Sequence, residues 1–251
     1  MGATLGLAAV FPDFTALRTQ NFPGIVFPKP TIMLAMSPRT GSTHLCAALH
    51  QAGHSAEPNE IFNPRGPALV LRDRYRVTGF ADYIASLARA PDADFIFKTS
   101  WQDVAPFAPA LPGMFPNLRV VYIERRNIAA QAVSLFRAQR RNFWHRRPGQ
   151  AAPAPAVEEH FDLPRLCAIV AELQAEKCSW EAWFTAQGIT PLRLRYEDFE
   201  TDVNTALRVL AAAFSLPLRT NLPPTAGLEK LADSTSRDWV LRLQKHLFNM
   251  S

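Results

Sequence analysis

Two patterns of apolar and polar positions alternate along this 251-residue chain. Short, nearly unbroken apolar runs occur at Thr31–Met36 (TIMLAM), Asp94–Thr99 (DFIFKT) and Leu118–Glu124 (LRVVYIE). Runs of this length predict strands buried on both faces. A fourth run, Ile189–Tyr196, alternates Leu192, Leu194 and Tyr196 with Arg193 and Arg195, the pattern of a half-exposed strand. Helical spacing fills the intervals: Leu45, Cys46 and Leu49 after the first strand, and Phe80, Tyr83, Ile84 and Leu87 within Val77–Ala90. After the third strand, Ala130, Val133, Ser134 and Arg137 fall on adjacent turns. Leu166, Ile169, Val170, Leu173, Trp180 and Phe184 mark a long amphipathic helix that Gly188 is placed to cap. Asp198–Leu216 and Leu228–Leu247 predict two more helices. Strands and helices alternating at this spacing predict an α/β fold, a mainly parallel central sheet with helices on both faces.

Two stretches fit neither pattern. Met1–Pro30 is rich in Phe and Pro and reads as an arm packed across the domain by Phe11, Phe14, Phe22 and Phe27. Arg140–His160 carries a basic run, an Ala/Pro tract and then acids, so it reads as a mobile lid. With no internal repeat, the expectation is one domain spanning residues 1–251. No apolar run approaches the ~18 residues of a membrane span. The first ten residues lack the basic flank of a signal peptide, and Gly2 lacks the Ser/Thr of a myristoylation motif. Cys46, Cys167 and Cys178 have neither metal nor redox spacing, and an odd count fits a reducing, cytoplasmic setting. The net charge of +5 suits an anionic ligand, a nucleic acid or an anionic surface without choosing among them.

The chemistry is densest where the first strand meets the first helix. Ser37-Pro38-Arg39-Thr40-Gly41-Ser42-Thr43 is a small-residue turn holding one cation. Strand, tight loop and helix in this order gather backbone N–H groups and a helix N-terminus around one anion, giving the fold a P-loop-like character. The Walker pattern G-x-x-x-x-G-K-[ST] is absent: Met36 stands at the first Gly position and Ser42 at the Lys. Ligands of open parallel sheets sit at the carboxyl ends of the strands. The Arg39 loop, Lys98 and Arg125-Arg126 all fall there, which argues for a small polyanionic ligand. Glu57 and Glu60 lie in the Gly- and Pro-containing loop that leaves the first helix.

These segments resemble the bacterial trehalose 2-sulfotransferase family. The likeness rests on SPRTGST after a strand and on Glu57-Pro58-Asn59-Glu60 after the first helix. It rests further on Arg125-Arg126-Asn127 with Gln131-Ala132-Val133-Ser134-Leu135-Phe136-Arg137-Ala138, on Leu194–Asp198, and on the segment around Trp239. The resemblance implies transfer of a sulfuryl group from 3′-phosphoadenosine 5′-phosphosulfate (PAPS) to a hydroxyl of a carbohydrate or glycolipid, releasing 3′-phosphoadenosine 5′-phosphate (PAP). Carried over by position, Arg39, Thr40, Gly41, Ser42 and Thr43 bind the 5′-phosphosulfate, and Arg126 and Ser134 bind the 3′-phosphate. Glu57 takes the place of the general base, with Arg39 beside the transferring group. Glu60, Lys98, Trp101 and Trp144 are the candidates to face the acceptor. The reaction so implied needs no metal, and no metal-ligand spacing is seen. The same likeness admits a homodimer and calls for neither nucleic acid nor a transmembrane segment.

Two other classes compete. A P-loop-type nucleotide-dependent kinase would share the loop, but it lacks the Walker Lys and a strand-end Asp, since the third strand ends in Glu124-Arg125. A nucleic-acid-binding module could use the Arg140–Arg147 cluster with Phe143 and Trp144. A short basic segment over a nucleotide site explains the same residues more economically.

Overall fold

A computed structural model describes residues 6–54, 56–89, 91–144, 159–223 and 233–249. Four strands form the sheet: β1 (Thr31–Met36), β2 (Phe95–Ser100), β3 (Leu118–Glu124) and β4 (Leu192–Arg195). Their order is β2-β1-β3-β4. β1 and β2 run parallel with Thr31 opposite Phe95 and Met36 opposite Ser100. The fold is α/β, with helices flanking a parallel sheet, as the alternation of apolar runs and helical spacing predicts. All six residues of β1 and all six of β2 are buried, which explains why they read as continuous rather than alternating runs. β4 is half-exposed and shorter than its pattern, because Tyr196 already begins a helical turn, Tyr196–Phe199.

The described residues belong to two compact units. The first comprises Met1–Met36, His54–Tyr122 and Ser179–Arg193. Its core is strongly aromatic. Phe11, Phe14, Phe22 and Phe27 of the N-terminal arm are all buried in it. Phe11 and Phe14 meet the ring of Phe80 edge-on at 5.5 and 5.0 Å, a favoured aromatic arrangement. The arm is more ordered than its composition predicts: it contains the short helices Leu7–Val10 and Phe14–Thr19. Between them, the Asp13 carboxylate accepts from the Phe80 main-chain N–H at 3.0 Å and caps the helix Phe80–Leu87 from 67 residues away. Lys98 does not end its strand, which continues to Ser100. It is 4% exposed, a position a cation holds because Glu60 lies 3.1 Å from its Nζ.

The second unit comprises Ser37–Gly53, Ile123–Cys178 and Leu194–Ser251. Its core joins three helices, Ile128–Arg141, the first part of Leu163–Ala186, and Ser234–Asn249, through Val133, Phe136, Leu166, Ile169, Leu173, Trp239 and Leu243. The long helix ends where expected, with Gly188 just beyond it at φ 62°. Arg140 and Arg141 continue the helix from Ile128 rather than opening a loop. Residues 145–158, the bulk of the expected lid, lie outside the described residues, as do 224–232 at the start of the expected last helix. Among the described residues no helix is long and apolar enough to cross a membrane.

Candidate active site

The loop after β1 has a strained, braced backbone. Arg39 and Gly41 both adopt left-handed conformations, φ 68° and 80°. For Arg39 this is uncommon and has to be held by surrounding structure. Three side chains do the holding by occupying successive loop carbonyls. The Thr40 hydroxyl donates to Ser37 O at 3.0 Å, Gln131 Nε2 to Pro38 O at 2.8 Å, and Arg125 Nη1 to Arg39 O at 3.1 Å. With its acceptors engaged, the loop's remaining main-chain resource is its N–H groups. Helix Ser42–Gln51 starts at Gly41 with no side chain capping it. Its first N–H groups and positive dipole end therefore suit an anion. The neighbouring helix Ile128–Arg141 differs, since Asn127 Oδ1 accepts from Ala130 N at 2.9 Å. Gly41 is needed for space as well as for its φ. A Cβ there would lie 2.5 Å from Cδ2 of Tyr196.

A cavity of about 620 Å³ opens beside this loop, entirely within the second unit. One wall is the loop with Arg125 and Tyr196; the others come from Ile128–Arg141, Phe143, Trp144 and the C-terminal helix through Ser236, Arg237, Val240, Leu241 and Gln244. The structure brings together three residues singled out from sequence. Arg39 Nε donates to Ser134 Oγ at 2.9 Å across 95 residues of chain, and Arg39 Nη1 donates to the main-chain carbonyl of Trp144. Gly41, Ser42 and Thr43 line the same cavity, whereas Thr40 is buried as an internal brace. Arg126 is not on the wall. Its exposed guanidinium pairs with Asp198 at 3.2 Å, and its main-chain N–H donates to Glu197. Burial opposes the charge of Glu197, but the N–H groups of Arg126 and Asn127 outweigh it and hold the carboxyl below its usual range.

The cavity's cations fall into two kinds. Arg137 and Arg141 are neutralised, Arg137 by Glu159 and Asp233, Arg141 by Glu159. Arg39 and Arg125 have no carboxylate within ion-pair distance among the described residues. Burial, and then the charge of Arg125, pull Arg39 down to about 10, so it stays charged at neutral pH in a setting that favours the charge poorly. An anion in the cavity would supply the missing charge. The structure thus fits an anionic ligand on residues the sequence points to, Arg125 among them, and on others it does not, such as Tyr196 and Arg237. A signal for Arg137 exists, since it lies one turn beyond Ser134 on the same helix. On the C-terminal helix, about a hundred residues further along the chain, the segment around Trp239 is marked but no residue of the cavity wall is.

The remaining candidates belong to the first unit. Glu57 is half-buried in the loop after Gly53, next to buried Pro58. Glu60 holds Lys98 and also accepts from Asn63 Nδ2 at 2.6 Å, so both charges serve the local fold. The Trp101 ring meets Trp180 edge-on at 5.1 Å against the core. Asp103 is an unanticipated carboxyl, pushed up to about 6 by burial although the Ser100 hydroxyl donates to it at 2.9 Å.

Comparison with known proteins bears on this arrangement. A family model described as Stf0 sulphotransferase matches residues 108–246. The trehalose 2-sulfotransferase of Mycolicibacterium smegmatis (strain ATCC 700084 / mc(2)155) is 26% identical over 259 residues, covering 86% of this chain and 95% of that protein. The trehalose 2-sulfotransferase of Mycobacterium tuberculosis (strain ATCC 35801 / TMC 107 / Erdman) is 24% identical over 258 residues, covering 85% and 94%. A solved sulfotransferase from Alicyclobacillus acidocaldarius aligns over 88% of this chain and 96% of its own, at 13% identity and a TM-score of 0.47. The family match takes in β3, Arg125, the helix with Ser134, Tyr196 and the C-terminal wall of the cavity, and the chain belongs to the Stf0 sulphotransferase family and is a sulfotransferase.

Proposed function

We propose that this sulfotransferase moves a sulfuryl group from PAPS to a hydroxyl of a carbohydrate and releases PAP. The observation that carries the donor assignment is the pair Arg39 and Arg125, without carboxylate partners among the described residues, beside an uncapped helix N-terminus. The acceptor class is taken from the two relatives named for trehalose sulfation. In this reading the Arg39–Thr43 loop holds the phosphosulfate and Ser134 the 3′-phosphate, while Arg126, exposed and paired with Asp198, stays off the cavity wall. PAPS, when bound, supplies a sulfuryl group already activated on its 5′-phosphate. Arg39 neutralises charge that develops on the leaving oxygen, the use to which preorganised cations are best suited. Glu57 takes the proton of the acceptor hydroxyl.

Calorimetry tests the donor. PAP should bind in the micromolar range or tighter without metal, and ATP much more weakly. Equal affinity for the two, or a strict need for magnesium, would count against the reading. The base is tested separately. Glu57→Gln keeps size and most hydrogen bonding but removes the basic oxygen, so turnover under saturating PAPS should fall by about 10²-fold with PAP affinity nearly unchanged. Glu60→Gln should lower stability more than chemistry, because it removes the carboxylate charge 3.1 Å from the buried Lys98 ammonium. Normal turnover in Glu57→Gln, with Glu60→Gln folded but inactive, would move the base to Glu60.

A further inference from the structure

Among the arginines on the cavity wall, Arg125 is placed in a way that neither the loop motif nor Ser134 requires. Its guanidinium lies over the Tyr196 ring, 4.4 Å from the centroid. One edge donates to the Arg39 carbonyl at 3.1 Å. Its Nε is buried and has no hydrogen-bond partner among the described residues. Stacking on one face and a main-chain bond on one edge fix the side chain, so the unmatched donor is not the product of a loose rotamer. Buried guanidinium donors are ordinarily matched, and leaving one open is unfavourable. Neutralisation was within easy reach of this sequence, since Glu197 and Glu200 follow Tyr196 on the same stretch. Yet Glu197 is taken up by the N–H groups of Arg126 and Asn127. Glu200 acts on Arg125 only through space. By contrast Arg137, which also lines the cavity, has its carboxylates in direct contact. Among the described residues, two adjacent cations on the cavity wall, Arg39 and Arg125, therefore have no carboxylate in direct contact.

We propose that Arg125 is a second anion-binding residue, paired with Arg39 for the doubly charged phosphosulfate or diphosphate-type end of the donor, and held in place by Tyr196. The inference rests on the donor reading above. Arg125 is assigned to the loop end of the ligand because its bond to the Arg39 carbonyl ties it to the loop. A planar, permanently charged fork stacked on an aromatic ring is a role lysine fills poorly.

The test is calorimetry of wild type, Arg125→Gln and Arg125→Lys with four probes: PAP, adenosine 5′-phosphate, adenosine 3′-phosphate and inorganic pyrophosphate. Thermal midpoints are read in parallel. Arg125→Gln should lose about 10–100-fold in affinity for PAP, adenosine 5′-phosphate and pyrophosphate, the range of one charged hydrogen bond. Adenosine 3′-phosphate should change by less than about threefold, and Arg125→Lys should fall between. Unchanged PAP affinity in folded Arg125→Gln would overturn the proposal. Equal losses for the 3′- and 5′-phosphates would also overturn it, leaving Arg125 a brace of the loop. If Arg125→Gln does not fold, Arg125→Lys decides by the same comparison. A wild type that binds pyrophosphate but no adenosine nucleotide would sink the donor reading alone, and the pyrophosphate ratio would still judge Arg125. A wild type that binds none of the four would sink both.

Discussion

Replacing Arg137 with methionine should destabilise the folded chain by about 3 kcal/mol, the low end of what removing one partner of a buried ion pair costs. Arg137 is 6% exposed and joins two segments of the second unit that are distant in sequence. Its Nε donates to Glu159 Oε2 at 2.9 Å, its Nη2 to Asp233 Oδ2 at 2.9 Å, and its Nη1 to Ser236 Oγ. Arg141 also reaches Glu159, donating at 2.6 Å, so Glu159 keeps one cation in the variant. This second partner is why the low end is expected. Arg137→Lys should recover little, because one ammonium cannot serve Glu159 and Asp233 through a rigid fork. Denaturant unfolding of both variants gives the measurement, and a loss under about 1 kcal/mol would mean the network contributes no more than a surface pair. Acid adds a second readout. Burial works against the charges of Glu159 and Asp233, yet the hydrogen bonds and charge of Arg137, joined at Glu159 by Arg141, hold both carboxyls below their usual range. Carboxyls depressed in the folded state stabilise it above their unfolded pKa and lose that effect as pH falls through the folded value. Wild-type stability should therefore fall more steeply than that of Arg137→Met below about pH 4.

Arg137 also shows where sequence reasoning stops. The strands were legible because burial on both faces leaves continuous apolar runs, and β1 and β3 end where their patterns end. The loop was legible because Gly41 and its small neighbours sit between two clear elements. The arm's phenylalanines read as core residues and lie in the core, since rings of that size have few other places to go. Pairing between distant residues carries no such local mark. Nothing in the sequence couples Arg137 to Asp233, 96 residues away, or Asp13 to Phe80. The choice between Arg125 and Arg126 has the same character. Adjacent residues leave a strand on opposite sides, and only the position of Tyr196 and Asp198 decides which guanidinium faces the cavity. Lys98 reads as a charged strand end because its partner Glu60 lies 38 positions earlier, in a loop. Family likeness picks out the Arg39–Thr43 loop because those residues form one contiguous segment. It reaches the C-terminal helix around Trp239 but assigns no site residue there, where the contacts are made by scattered residues.

Arg39→Ala should lower kcat/KM for PAPS by about 10²–10³, the loss typical of removing one preorganised donor to developing charge. Arg39 is the only cation in the loop Ser37–Thr43. The structure fixes it through its backbone at φ 68°, through Ser134 Oγ and through the Trp144 carbonyl. A guanidinium so held needs little rearrangement when ligand binds, so its charge is available where the leaving oxygen forms. PAP affinity should fall too, by about 10–100-fold, since product retains the 5′-phosphate but not the transferring group. The larger loss in kcat/KM than in PAP binding is the signature of a residue whose interaction strengthens in the transition state. Arg39→Lys should restore charge without the fork and recover only part of either quantity. Stability should move the other way. Burial and the neighbouring Arg125 disfavour the charge of Arg39, so its removal relieves repulsion. The unliganded thermal midpoint of Arg39→Ala should be equal to or above that of wild type. A variant that is inactive and also markedly less stable would assign Arg39 to the fold of the loop, and one with wild-type turnover would remove it from the chemistry.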